Sequence, residues 1–435
     1  MIRSLVFLFL LIGTGIPELP AQPTPSEACP PLPFIRGLRV YAGDDETNLP
    51  VMIQADTSAR SSDALLPSWI TIRFDVAEEA PPRLAIRFRH CDKDWNVDTD
   101  YFVRDDFFTL TRTLFYEQSS AGIEMYRWRF TNSFPSAEHP FVRFLYSGNW
   151  LFDIVDENDE EAIYASGRFI VVENLVRSAL EVRNDYWTPW VMPFDQVHRL
   201  RLNIRIPSPG PLFQDFVRTV DFYKNFNLYQ PYRVDSYDRQ ANTFVEGIGL
   251  DRKAFIYENM PPGNGYRLLD IRRAVVYPSQ QVAKRFEGAD FTRFRFGIDQ
   301  HVYFGSAVTE PIRSFDAEYL CVQFELERPL IEDADVFVAG IFNNWDPQPD
   351  DRMWYDEDIG HYFLHRWLMR GAYDYQYVVG IYDEDKGYIP DADWLRIEGN
   401  GWAANNLYWA VIYYDDDQFG GVTRAVGFTY RVAGR

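Results

Sequence analysis

The chain is poor in the groups that most enzymes and metalloproteins depend on. Three cysteines in 435 residues, Cys29, Cys91 and Cys321, show no C-x-x-C spacing, so neither a zinc site nor a thiol redox motif is supported. One disulfide is open to them in an oxidising compartment, with one thiol left over, and the sequence does not say which pair forms. Six histidines are spread along the chain. His361 and His365 fall in a strand pattern, where four residues span about 13 Å, too far to share an ion. There is no G-x-S-x-G and no P-loop, and the glycines of "GNGYRLLD" and "GGVTRAVG" have no helical pattern behind them. With 64 acidic residues, a carboxylate pair is no evidence of catalysis. The expectation is a protein that is not an enzyme and needs no cofactor or metal.

Positive charge is also scarce. Lys and Arg number 43 against 64 Asp and Glu, a formal net charge of −21. Such a surface repels phosphate backbones and argues against a nucleic-acid partner. Long apolar runs are missing too. "LVFLFLLIG", residues 5–13, is about half of the ~20 residues a membrane helix needs. Following Arg3 and leading to small residues that end at Ala21, it reads as a secretory signal over residues 1–21. A lipoprotein reading would acylate Cys29, but "PSEAC" lacks the apolar residue expected three positions earlier.

What the chain has in abundance is aromatic side chains, 17% of all residues, a bias that favours strands. After a Pro-rich stretch at 22–33, read as a loose linker, alternating patterns follow one another. "RLAIRFRH" puts Leu84, Ile86, Phe88 and His90 on one face and Arg83, Arg87 and Arg89 on the other. "YRWRF" sets Tyr126, Trp128 and Phe130 against Arg127 and Arg129. "HRLRLNIRIPSPG" alternates until Pro207 and Pro209 stop it. Strand-like runs recur around 218–223, 253–257, 273–277 and 291–304. "YLCVQFEL" and "GAYDYQYVV" continue the series, with Tyr373, Tyr375, Tyr377 and Val379 on one face. Sustained 3.6-residue periodicity is rare, and "DADWLRIEGN" offers at most one helical turn. The expected fold is all-β, several immunoglobulin-like or early-set β-sandwiches in series. The expected divisions are 34–175, 176–312 and 313–435.

"RHCDKDWNVDTDYF", residues 89–102, is the densest cluster of metal-ligand types. Counted from Asp92, an EF-hand loop would need Gly at Val97 and Glu at Val103, so that site fails, and only weak calcium binding by an Asp cluster stays open. His90 and Cys91 are adjacent in a strand and point to opposite faces, which separates them as ligands unless a bulge intervenes. The favoured reading is a structural corner: His90 at the strand end, Asp92, Asp94 and Asn96 in backbone-bonded turns, and Trp95 closing the core. Cys91 lies on the arginine-bearing face.

Two surfaces are candidates for contact with other molecules. "NDYWTPW" and "FYKNFNLYQPY" set Tyr186, Trp187, Trp190, Tyr223, Phe226 and Tyr229 in polar, loop-like settings, where aromatic residues often anchor interfaces. The other reading of these residues is that they fill seams between domains. "VAGIFNNWDP" followed by "YQYVV" resembles the early-set or glycogen-binding type of sandwich, in which Trp faces stack on sugars. By that resemblance Trp345, Trp354 and Trp367 would be the stacking residues, and the chain a secreted, multidomain carbohydrate-binding protein. Alternatively, Phe342 and Trp345 simply seal a sandwich end.

A wider resemblance rests on the "HCDKDWN" corner, the "SGNWLFDIVDEN" strand and loop, and the "GRFIVVE" strand. Together they resemble the plug protein family of the type IX secretion system, over most of the chain from about residue 34. The stretch 210–310 is the least similar part. The resemblance implies a periplasmic protein at the inner face of an outer membrane. Its implied partner is a very large translocon barrel, whose periplasmic mouth the protein closes while no substrate is exported. No small-molecule substrate and no catalytic residues are implied. A membrane barrel of this chain's own strands fits poorly, because the outward faces repeatedly carry Arg, Asp or Glu.

Overall fold

The computed structural model describes residues 29–54, 66–99, 106–187, 196–238, 240–247, 251–279, 281–293, 303–416 and 421–433. The expected signal segment, Trp190 and residues 22–28 of the Pro-rich stretch lie outside them. Within the described residues the fold is all-β: the strands form six sheets of four or five strands, stacked in pairs as three β-sandwiches.

In the first sandwich, Arg36–Ala42, Ile70–Val76, Trp128–Phe134 and Tyr116–Gln118 form one sheet in that order. Val51–Ile53, Ile163–Val172, Gly148–Asp156, Leu84–Cys91 and Leu110–Thr111 form the other. The alternation explains the core. Ile72, Phe74 and Phe130 from one sheet meet Leu84, Ile86, Phe88, Phe152 and Phe169 from the other, all nearly inaccessible to solvent. A fully buried side chain of this kind contributes roughly 1.5–3 kcal/mol.

The second sandwich pairs the sheet Arg177–Tyr186, Gln196–Arg205, Arg252–Met260, Thr243–Gly247 with the sheet Tyr232–Asp235, Val217–Lys224, Asn406–Asp416, Val422–Ala433. The third is built around two long strands, Gly371–Gly380 in one sheet and Tyr319–Glu327 in the other. Arg267–Asp270, Ala307–Thr309 and Asp335–Gly340 all pair with Gly371–Gly380. His361–Met369 pairs with Tyr319–Glu327 and with Trp354–Asp356.

These pairings cross the expected divide at 312/313. Arg267–Asp270 and Ala307–Thr309 were assigned to the middle unit and belong to the third sandwich. The last two strands were assigned to the final unit and belong to the second. The second sandwich is therefore made of two stretches of chain, with the third inserted between them. The cause is packing: Tyr408, Ala410 and Ile412 lie beside Val220 and Phe222 in one sheet and face Leu200 and Leu202 of the other, in one buried cluster. A smaller expectation also fails: residues 273–277 form a turn, with Val275 and Val276 exposed. In "DADWLRIEGN" the chain makes the single turn expected, closed by the Gly399 N–H to Leu395 O.

The Pro-rich stretch is pinned at its described end. Cys29 is bonded to Cys321 on Tyr319–Glu327, and the Trp367 indole N–H donates to Pro30 O at 2.7 Å. Residues 29–33 therefore lie on the third sandwich and are not a loose linker. Cys91 is left as the free, buried thiol.

Candidate functional site

Some of the arginine-bearing outer faces are seams between sandwiches. Sheet alternation that buries Phe130 inside the first sandwich sends Arg129 out of the opposite face, and the third sandwich covers it. Arg129 makes a two-pronged ion pair with Asp75, at 2.6 and 2.7 Å, and the Tyr319 hydroxyl donates to the same carboxylate at 3.0 Å. Around this pair Ile123, Tyr126, Ala317, Tyr319 and Met369 form a buried apolar cluster. Glu46 extends the seam by accepting from the Thr309 hydroxyl at 2.9 Å. Paired in this fork, the charges satisfy each other where water is excluded.

The seam between the first and second sandwiches is apolar at its centre. Val51, Ile170 and Val172 on one side meet Tyr223, Trp409, Val411, Tyr413 and Phe428 on the other. Tyr223 stacks on Trp409 with ring centroids 4.0 Å apart. The 89–102 corner sits at the edge of this seam. His90 Nδ1 lies 2.5 Å from Asp98 Oδ2 and Nε2 lies 2.9 Å from Ser147 O. The Asp92 carboxylate accepts the backbone N–H groups of Asp94 and Asn96 at 2.8 and 2.9 Å. Gly148 has φ +137°, and a Cβ there would stand 2.5 Å from His90 Nε2 and 2.9 Å from Thr423 O of the second sandwich. No side chain larger than hydrogen fits that approach.

The corner also reaches across. Asp94 pairs with Arg233, which grips the fully buried Asp221 at 2.7 and 2.9 Å and donates to Lys93 O at 2.7 Å. Asn149 donates to Asp92 O at 3.1 Å and accepts from the Tyr413 hydroxyl at 2.8 Å. Trp95, with φ +65°, is half-buried against the seam cluster and is not part of the first sandwich's core; the expectation that it closes that core is corrected. Cys91 does point away from His90, but into a buried setting that pushes its thiol up to about 12, which makes it a poor nucleophile at neutral pH. Among the described residues no group of three or more His, Cys, Asp or Glu side chains could hold a metal ion.

The candidate interface aromatics separate into two kinds. Tyr223 is fully buried in the first seam, and Phe226 enters the buried cluster of the third sandwich from a turn of the second. Tyr229 is half-buried beneath Arg168. Tyr223 and Phe226 hold sandwiches together and offer no free surface, whereas Tyr229 lines an open cleft. Tyr186 is 40% exposed and packs edge-on against Trp402 at 4.9 Å, and Trp187 is half-buried. The sugar-stacking set is not assembled. Trp345 is 1% exposed, donates to Gly305 O at 2.7 Å and lies 4.6 Å from the Tyr266 ring. Trp354 stacks on Phe363 at 4.8 Å. Trp367 lies under the 29–33 stretch.

The seam arginines, Arg129, Arg168 and Arg233, were missed as functional residues. The available signal was an arginine repeatedly opposite a core aromatic in a strand, but a solvated face gives the same pattern.

These features define a class: a body of several β-sandwiches joined by buried polar and aromatic contacts. Residues 35–173 match the family model described as "Type 9 secretion system plug protein 1st domain". The match supports the plug family for this first domain and suggests a role related to type IX secretion. No curated protein matches the sequence. A hypothetical protein from Parabacteroides merdae, known from a crystal structure, is similar over 92% of this chain and 97% of its own, with 18% identity and a TM-score of 0.73. At that identity the likeness shows the fold alone. A biofilm-associated protein BSP domain, 8% identical over 95% of this chain and 62% of its own, has a TM-score of 0.16 and carries no argument. No helix among the described residues is long and apolar enough to cross a membrane.

Proposed function

We propose that this chain is a non-catalytic periplasmic plug that binds the periplasmic mouth of the type IX outer-membrane translocon barrel and closes it while no substrate is in transit. The observation that carries the reading is the locking of three sandwiches into one body. A plug must resist deformation, and buried charge pairs, stacked aromatics and a disulfide 292 residues apart in sequence serve that need. The plug-type first domain supports the assignment to this secretion route. Acidity supports it in a minor way, since a net charge of −21 disfavours adventitious binding to anionic polymers. The sugar-binding alternative loses its platform with Trp345 in the core.

The test is co-purification. A tagged chain incubated with outer-membrane extract is expected to recover a very large barrel protein, and to recover less when the barrel is loaded with export substrate. Failure to recover the barrel from extract that contains the substrate-free translocon would overturn the proposal.

A further inference from the structure

All three sandwiches contribute to one open cleft of about 480 Å³. The first supplies the tip of the corner and Arg168, the second the 229–233 turn, and the third Asp346 and the 386–390 loop. Arg168 is the distinctive group. Its guanidinium carbon lies 4.8 Å from the centroid of Trp95 and 4.1 Å from that of Tyr229. Its side chain makes no ion pair or hydrogen bond among the described residues, whereas Arg129 and Arg233 are each matched with carboxylates at their seams. Two ring faces hold the cation in place and leave its N–H donors unspent.

The remaining charges in the cleft do not neutralise it. Asp94 is taken by Arg233. Asp346 is the acid that Arg168 influences; burial pushes its carboxyl up to about 6, which leaves it largely ionised at neutral pH, but the two make no ion pair. Lys386, 53% exposed at the rim, pairs with Asp383 of its own turn. A planar guanidinium fixed between aromatic faces is suited to two-pronged recognition of a carboxylate. The cleft is far larger than a simple anion needs, and Tyr388, Ile389 and Pro390 give it an apolar wall.

We propose that this cleft binds a carboxylate-bearing, acidic peptide segment of a partner protein, with Arg168 receiving the carboxylate. The site stands on its own geometry and does not depend on the plug reading. Because it needs all three sandwiches, its occupant would bridge them. A net charge of −21 opposes unspecific binding of any acidic peptide, and at physiological salt, charges beyond about 8 Å are largely screened. Binding would therefore report local recognition.

The experiment uses the full mature chain and isothermal titration at physiological salt. The probes are an acetylated, amidated hexaglutamate peptide and the matching hexaglutamine. The expected result is binding of hexaglutamate at least tenfold tighter than hexaglutamine, weakened at least tenfold in Arg168→Gln. Arg183→Gln, on an arginine that is 72% exposed and does not line the cleft, should leave it unchanged. Arg168→Gln also removes two ring contacts, so Lys386→Gln, on an exposed loop, gives a second reading: about threefold weaker binding without a change in melting temperature. Equal affinity for the two peptides, no binding of either, or equal losses in Arg183→Gln and Arg168→Gln would each overturn the proposal.

Discussion

Arg233 joins the first sandwich to the second at a single side chain. It satisfies Asp221, which no solvent reaches, while holding Asp94 and the Lys93 carbonyl of the corner. Removing one member of a buried pair leaves an uncompensated charge, which costs about 3–5 kcal/mol. Arg233→Ala is expected to lower stability by that order in urea titration, whereas Asp94→Asn, on an exposed partner, should cost under about 1 kcal/mol. Equal effects would mean that Asp221 is not the group that matters. His198 gives a residue-scale dependence on pH. It is fully buried, with Nδ1 2.7 Å from the Tyr408 hydroxyl. Burial, with Lys224 nearby, pulls its pKa down from 6.5 to about 4. The fold therefore holds the neutral ring. The stability this provides is complete above pH 6.5 and is lost as pH falls towards 4, by up to about 3 kcal/mol. Measured from pH 7.5 to 4, the stability difference between the natural chain and His198→Gln should shrink as acid is added; a constant difference would contradict this.

At the scale of elements, the strands were legible and their neighbours were not. The period-2 pattern of Leu84, Ile86, Phe88 and His90 identified a strand and its inner face, because burial of one face leaves that signature. The opposite face carried Arg and Asp in either case, since a seam built from ion pairs and a wetted surface have the same composition. That is why Arg129 and Asp75 gave no warning of the third sandwich. The final hairpin was misplaced for a related reason. Tyr408, Ala410 and Ile412 alternate as well against one sheet as another, and only long-range packing decides between them. The 89–102 corner was readable as a turn, with Asp92 receiving two backbone N–H groups, but its contact with Arg233, some 140 residues away, was not. The 29–33 stretch shows the limit of composition. Its prolines suggested a linker, and one covalent bond makes it a strap. Cys29→Ser is expected to free Trp367 from Pro30, shift its fluorescence to longer wavelength and open Arg36 to trypsin. Closing a loop of 292 residues stabilises by about 6 kcal/mol in the chain-entropy picture. Unchanged fluorescence and proteolysis in the variant would show that the strap holds without the bond.

For the whole molecule, the seams matter more than any one sandwich. A string of independent domains would flex at its linkers. Here the second sandwich is closed by strands that return after the third, so two chain crossings join them, and Phe226 of the second is buried in the core of the third. The first is held to both by buried aromatic and ionic contacts. A body of this construction can close an opening by steric fit, without catalytic groups. The most direct measurement is conductance: the purified translocon barrel, free of substrate, is placed in a planar bilayer, and the chain is added from the periplasmic side. The account predicts that ionic current falls in a saturable, dose-dependent way and recovers when the chain is washed out. A current that stays unchanged at saturating concentrations of the folded chain would contradict it.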